Sequence, residues 1–98
     1  MATSTIKQRY AKKTDVIIGS SDDCNNCNNP NVIYYWGYSQ GQPANRPASL
    51  SAGELLYIET AYAKLQVARY YNDTQAIYVR TLYSGTWKAW VKFTGEQI

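Results

Sequence analysis

Residues 32–38 read Val-Ile-Tyr-Tyr-Trp-Gly-Tyr, a run of β-branched and aromatic residues interrupted by one glycine, Gly37. Side chains of this kind lose rotamer freedom in a helix and pack well on a pleated surface, so the run specifies a strand. Turn formers close it on both sides. "GSSDDCNNCNNPN" (19–31) precedes it, and "SQGQPANRPAS" (39–49) follows, with Pro43 and Pro47 excluding regular pairing. "QAIYVRTLY" (75–83) is a second strand between an Asn-Asp-Thr turn at 72–74 and a Ser-Gly turn at 84–85, and "TWKAWVKF" (86–93) returns as the last. Ten tyrosines and three tryptophans beside one phenylalanine and one methionine agree with a β-rich fold, because tyrosine suits half-buried sheet faces.

The segment "SAGELLYIETAYAKLQVARYY" (51–71) supports two readings. Leu55, Ile58, Tyr62 and Leu65 recur at helical spacing, and Ser51 with Glu54 forms a capping-box pattern. Alternation of Leu55, Tyr57 and Glu59 against Leu56, Ile58 and Thr60 fits a strand equally well. Pattern alone leans slightly to helix.

With 98 residues the chain holds one domain, and such a domain buries only about two thirds of its unfolded surface. A shared assembly would relieve that small core. The net charge of +3 is concentrated in Lys7, Arg9, Lys12 and Lys13. Four positive charges without glycines or further arginines make a weak nucleic-acid footprint, and a solvated N-terminal strand or arm is the plainer reading. No nucleic-acid partner is expected. No apolar run is long enough for a signal peptide or a membrane span, so synthesis in a cytoplasm and no membrane partner are expected.

The absence of histidine removes the commonest general base and metal ligand. Cys24 and Cys27 have CxxC spacing but no second pair to complete a tetrahedral site. They read as ordinary thiols in a polar loop or as a short-loop disulfide, with a metal shared between chains as the remote exception. Asp22 and Asp23 are adjacent, and Glu54 and Glu59 lack an evident partner acid, so no carboxylate pair for glycoside cleavage stands out. Catalytic residues, a bound metal and a cofactor are therefore not expected.

From Val32 to Trp90 the order of features resembles the pyocin-knob domain of phage tail fibres and tail-derived bacteriocins. The resemblance rests on "IYYWGY", "ANRP" (44–47), "GELLYIET" (53–60), "LQVARYY" (65–71) and "IYVRTLYSGTWKAW" (77–90). The cysteine-bearing "DDCNNCNN" loop lies outside that pattern. The resemblance implies that 53–60 and 65–71 are neighbouring strands. The fold expected is all-β, or β-dominated α+β, with a single small antiparallel sheet of knob-like form. It would follow a basic arm and Asn-rich loop at 1–31 and occupy 32–98.

The resemblance further implies a non-enzymatic structural or receptor-binding module of a bacteriophage fibre, in tail or head appendage. It would be a homotrimer carried on the virion beside other virion proteins. A small capsid decoration or capping protein is the alternative. Tyr78, Arg80, Trp87 and Trp90 are its structural signature, with Arg80 expected to stack on one of the two indoles and pin the last strand. Residues three apart on a regular strand face opposite ways, so Trp87 and Trp90 are expected on opposite faces unless a bulge intervenes. Aromatic faces and polar side chains together suit a bacterial surface glycan. Trp36 and Tyr38, expected to share one strand face, are candidates with Asn45 and Arg46, and Trp87 at the turn joins them. Alternate packing of "YYWGY" inward and outward accounts for the same aromatics without a ligand. Any recognition surface is expected around Tyr38 and Asn45.

Overall fold

A computed structural model describes residues 14–73 and 75–98. The chain forms one seven-stranded sheet with almost no helix: β1 (Thr14–Ile17), β2 (Val32–Trp36), β3 (Gly53–Glu59), β4 (Lys64–Arg69), β5 (Ala76–Tyr83), β6 (Thr86–Trp87) and β7 (Val91–Thr94). The first six lie in sequence order, and β7 pairs with β5. Residues 1–13, which hold most of the expected basic arm, lie outside the described residues, as does Thr74 of the expected Asn-Asp-Thr turn.

The ambiguous segment is two strands, as the family resemblance implied. β3 and β4 pair antiparallel from Glu54↔Arg69 to Glu59↔Lys64. Helical spacing loses because the same residues, taken in alternation, put Leu55 and Tyr57 into a core and complete hydrogen bonding on both sides.

One pair departs from the antiparallel expectation: β1 runs parallel to β2, with Thr14↔Val32 and Ile17↔Tyr35. A parallel pair needs a long crossover. Residues 18–31 supply it and fold down as they cross. Ile18, Cys24 and Cys27 enter the core cluster with Trp36, Leu50, Leu55, Ala68 and Tyr78. Residues 14–31, expected ahead of the domain, thus pack with it. Both cysteines are free thiols, and both are buried. Their polar neighbours face water while a short 3-10 turn, capped by the Asp23 carboxylate on the Asn25 N–H (2.8 Å), aims both sulfurs inward.

The sheet has one covered face. The 18–31 crossover and the 37–52 loop lie over it, joined to each other by Cys24 N–H to Ala44 O (2.8 Å) and Ala44 N–H to Asp22 O (2.9 Å). Pro43 and Pro47, which cannot extend a strand, are fully buried and seal that loop onto the core. Ser84 (φ 51) and Gly85 (φ 79) both take left-handed conformations between paired Tyr83 and Thr86, the primed turn that a two-residue hairpin prefers.

The last strand is not continuous. Leu82 pairs with Trp87 and Val79 with Val91, so four steps along the returning chain match three along β5. The extra residue is a β-bulge within Lys88–Trp90. It overturns the expectation that the two tryptophans face opposite ways. Trp87 and Trp90 both lie on the covered face, and Val91 and Phe93 turn to the other.

Candidate functional site

Alternation on β4 and β5 sends Gln66, Ala68, Tyr78 and Arg80 to the covered face. Gln66 and Arg80 stand opposite each other in the register, next to Tyr57 of β3. Gln66 is fully buried, and its hydrogen bonds tie separate elements together. Its Oε1 accepts from Arg80 Nε at 2.8 Å, and its Nε2 donates to the carbonyls of Cys24 (2.6 Å) and Cys27 (3.0 Å). One amide thereby fixes both the 3-10 turn and the arginine.

Arg80 is 6% exposed and sits between two indoles, its guanidinium carbon 4.6 Å from the ring centroid of Trp87 and 4.6 Å from that of Trp90. Stacking on one ring was expected; the bulge supplies two. Each indole also anchors a loop. Trp87 Nε1 donates to Asn25 O (3.2 Å) and Trp90 Nε1 to Asn45 O (2.9 Å). Tyr57 meets the Trp87 ring edge-on, 6.4 Å between centroids. The arginine, the tryptophans and Gln66 are therefore a clamp holding both covering loops on the sheet.

Asn45 completes it from above. Its backbone is left-handed (φ 60), a conformation asparagine tolerates better than most residues, and its Nδ2 donates to Asp23 Oδ1 at 2.9 Å. That bond, then the Asn25 N–H and the nearby Arg80 charge, holds the Asp23 carboxyl below its ordinary pKa. Burial depresses the Arg80 pKa, and its buried Nη2 has no hydrogen-bond partner among the described residues. Cys27 is pushed up by its hydrogen bond with Cys24 and by burial, which keeps it a thiol.

Outside this clamp a cleft of about 460 Å³ opens, lined by Asn25, Asn45, Arg80, Leu82, Thr86 and Trp87. Trp87, two asparagines, Thr86 and the edge of the buried Arg80 border it. These groups can pack against an apolar ring face and hydrogen-bond polar substituents around it. Among the described residues no group of three or more His, Cys, Asp or Glu could hold a metal ion.

Of the candidates from sequence, Asn45 and Trp87 meet in this cleft and Arg80 joins them. Trp36 does not. It is 1% exposed, lies over Gly53, and donates Nε1 to Leu50 O at 3.3 Å, so it is core. Arg46 spends its Nε on the same carbonyl (2.9 Å), bracing the 46–50 turn. Tyr38 does not share a strand face with Trp36, because β2 ends at Trp36 and Tyr38 opens a 3-10 turn. It is exposed beside Tyr70, whose hydrogen bonds raise the phenol pKa of Tyr38 and Tyr71. Tyr78 is structural, its hydroxyl 2.7 Å from Ser49 Oγ.

A larger cleft of about 600 Å³ lies at the opposite edge, between Asp15, Ile17, Tyr35, Gln40, Glu54 and Tyr71. Its Glu54 is already paired with Arg69 (2.7 Å), and it opens onto apolar sheet surface. Size alone does not outweigh the convergence of polar groups around Arg80. Asn25 and Gln66 escaped the sequence reading. Gln66 was the one amide in "KLQVARYY", a signal that acquires meaning only once its register with Arg80 is known.

No family model, curated protein or solved structure matches this chain.

Proposed function

We propose that the chain is a non-enzymatic, receptor-binding module of a bacteriophage fibre, binding a bacterial surface glycan in the cleft beside Arg80. The observation that carries the binding reading is the cleft itself: Trp87 as a wall, Asn25, Asn45 and Thr86 around it, and a preformed clamp beneath. Rigid aromatic walls and pre-ordered polar groups reduce the entropy lost on binding. The phage setting, a virion location and a homotrimer among other virion proteins are supported by the ordered resemblance over residues 32–90 and by a β fold of the kind it implies.

The test is a glycan array of bacterial surface polysaccharides, read with the full chain and with Asn25→Ala. The Asn25 backbone N–H and carbonyl make the cap and the clamp, and both are kept in the variant, while the residue borders the cleft. The variant should keep the wild-type melting temperature and lose binding at least about tenfold, the equivalent of one good polar contact. Absence of any bound glycan, or unchanged binding by Asn25→Ala, sinks the glycan reading and leaves capsid decoration as the stronger alternative.

A further inference from the structure

Arg80 is the one charged side chain buried among the described residues, and no carboxylate pairs with it. The ion pairs of those residues are Glu59 with Lys64 and Glu54 with Arg69. Among the same residues its guanidinium makes a single hydrogen bond, from Nε to Gln66 Oε1, and its buried Nη2 makes none. Unpaired donors and an uncompensated buried charge both cost folding energy, so such a cation calls for an explanation. Trp87 and Trp90 do not supply what is missing. Each presents its ring face to the cation, which attracts the charge but offers no lone pair to an N–H. The one carboxylate whose charge reaches Arg80, Asp23, is taken up by the Asn25 N–H and by Asn45 Nδ2.

This unpaired cation borders the cleft. Arg80 lines it with Asn25, Asn45, Leu82, Thr86 and Trp87, and no acidic residue does. The opposite cleft has the reverse character, with Asp15 and Glu54 on its wall and no basic residue. A cleft with charge of one sign and apolar walls focuses its field on whatever enters. Nη2 is shut off from water, so an acceptor that reaches the guanidinium from the cleft competes with little solvent. Asn25, Asn45 and Thr86 are neutral and suit hydroxyl groups beside it.

We infer that the glycan taken by this cleft is acidic, and that a carboxylate on its sugar ring is the partner Arg80 lacks. The inference rests on the glycan reading above and names the class of sugar. A carboxylate is flat and offers two oxygens to the fork of guanidinium donors. With the two indoles 4.6 Å from the guanidinium carbon, a flat group fits their gap better than a tetrahedral phosphate. Trp87 then walls the sugar ring, with the asparagines and Thr86 around its hydroxyls.

An array of bacterial surface polysaccharides, read with the full chain, tests it. Each uronate-bearing polymer is printed beside the same polymer with its carboxylates reduced to primary alcohols. Phosphate-bearing polymers without uronate form a third set. Wild type should bind uronate-bearing members and lose at least about tenfold in affinity on reduction. Because Arg80 also holds the clamp, the variants are made at Thr86, exposed on the cleft's margin. Thr86→Glu brings the chain's own carboxylate to the cleft, and Thr86→Gln brings the same shape uncharged. The glutamate variant should bind at least about tenfold more weakly than the glutamine variant, with a melting temperature no lower. Binding indifferent to reduction, a preference for the phosphate set, or equal affinity of the two variants overturns the inference. If Asn25→Ala still weakens that binding, the glycan reading itself survives. Absence of any bound glycan overturns both.

Discussion

Arg80 is where covalent sequence and tertiary structure meet most sharply. A buried guanidinium costs desolvation energy, and here two indole faces and one amide oxygen offset it. Arg80→Ala would strand Gln66 Oε1 and open a gap between the rings, so it should cost about 2–4 kcal/mol and lower the melting temperature by roughly 10 °C or more. Arg80→Lys should recover little, because a flat guanidinium can stack on both rings and an ammonium cannot. Scanning calorimetry of the two variants checks this; a melting temperature unchanged by Arg80→Ala would show that the clamp does not hold the fold. Tyr57, edge-on to Trp87, gives a pH test. Burial first, and its 2.6 Å hydrogen bond to Glu59 second, raise its phenol pKa from 10.0 to about 12. The folded chain keeps a proton that the unfolded chain releases between those values. Its contribution is therefore full below about pH 10 and is lost as pH rises toward 12. Replacing Tyr57 by Phe should flatten the alkaline limb of the melting-temperature profile, and an unaltered limb would assign that slope to other groups.

At the scale of elements, the strands were legible and their interruptions were not. "VIYYW" and "AIYVRTLY" declared themselves through β-branched and aromatic composition, and Ser84-Gly85 through turn chemistry. Residues 51–71 could not be decided locally, since leucine, alanine and glutamate favour helix while the strand advantage comes from partners distant in sequence. The bulge within Lys88–Trp90 left no compositional trace, yet it decides which way Trp90 faces. The burial of Trp36 is hidden from the sequence for a similar reason: a face cannot be named wet or dry until the loop that covers it is placed. Deleting Ala89 should remove the bulge and leave Trp90 two residues after Trp87, still on the covered face and opposite Arg80. The expected signature is a native tryptophan emission spectrum, and a red shift would show that Trp90 needs the bulge to reach Arg80. Gly85→Ala should cost about 1 kcal/mol through its positive φ alone, since no atom stands within 4 Å of the added methyl.

For the whole molecule, the two faces of one sheet divide the work. The covered face spends its polar residues on a clamp that fixes two loops and leaves a lined cleft at its margin. The open face is largely aliphatic, with Ile33, Leu56, Val67, Val79 and Val91 in one row. Little of this division could be read beforehand. Asn45 and Trp87 were identified as site residues by type, but their meeting with Asn25 depends on a crossover that brings residue 25 against residue 87. The measurement that tests the recognition reading most directly is nuclear magnetic resonance of the full chain titrated with host surface oligosaccharide. The indole N–H of Trp87 and the side-chain amides of Asn25 and Asn45 should shift together and saturably, while Tyr35 and Tyr71 in the opposite cleft stay still. Shifts confined to that opposite cleft, or no saturable shift at Trp87, would contradict it.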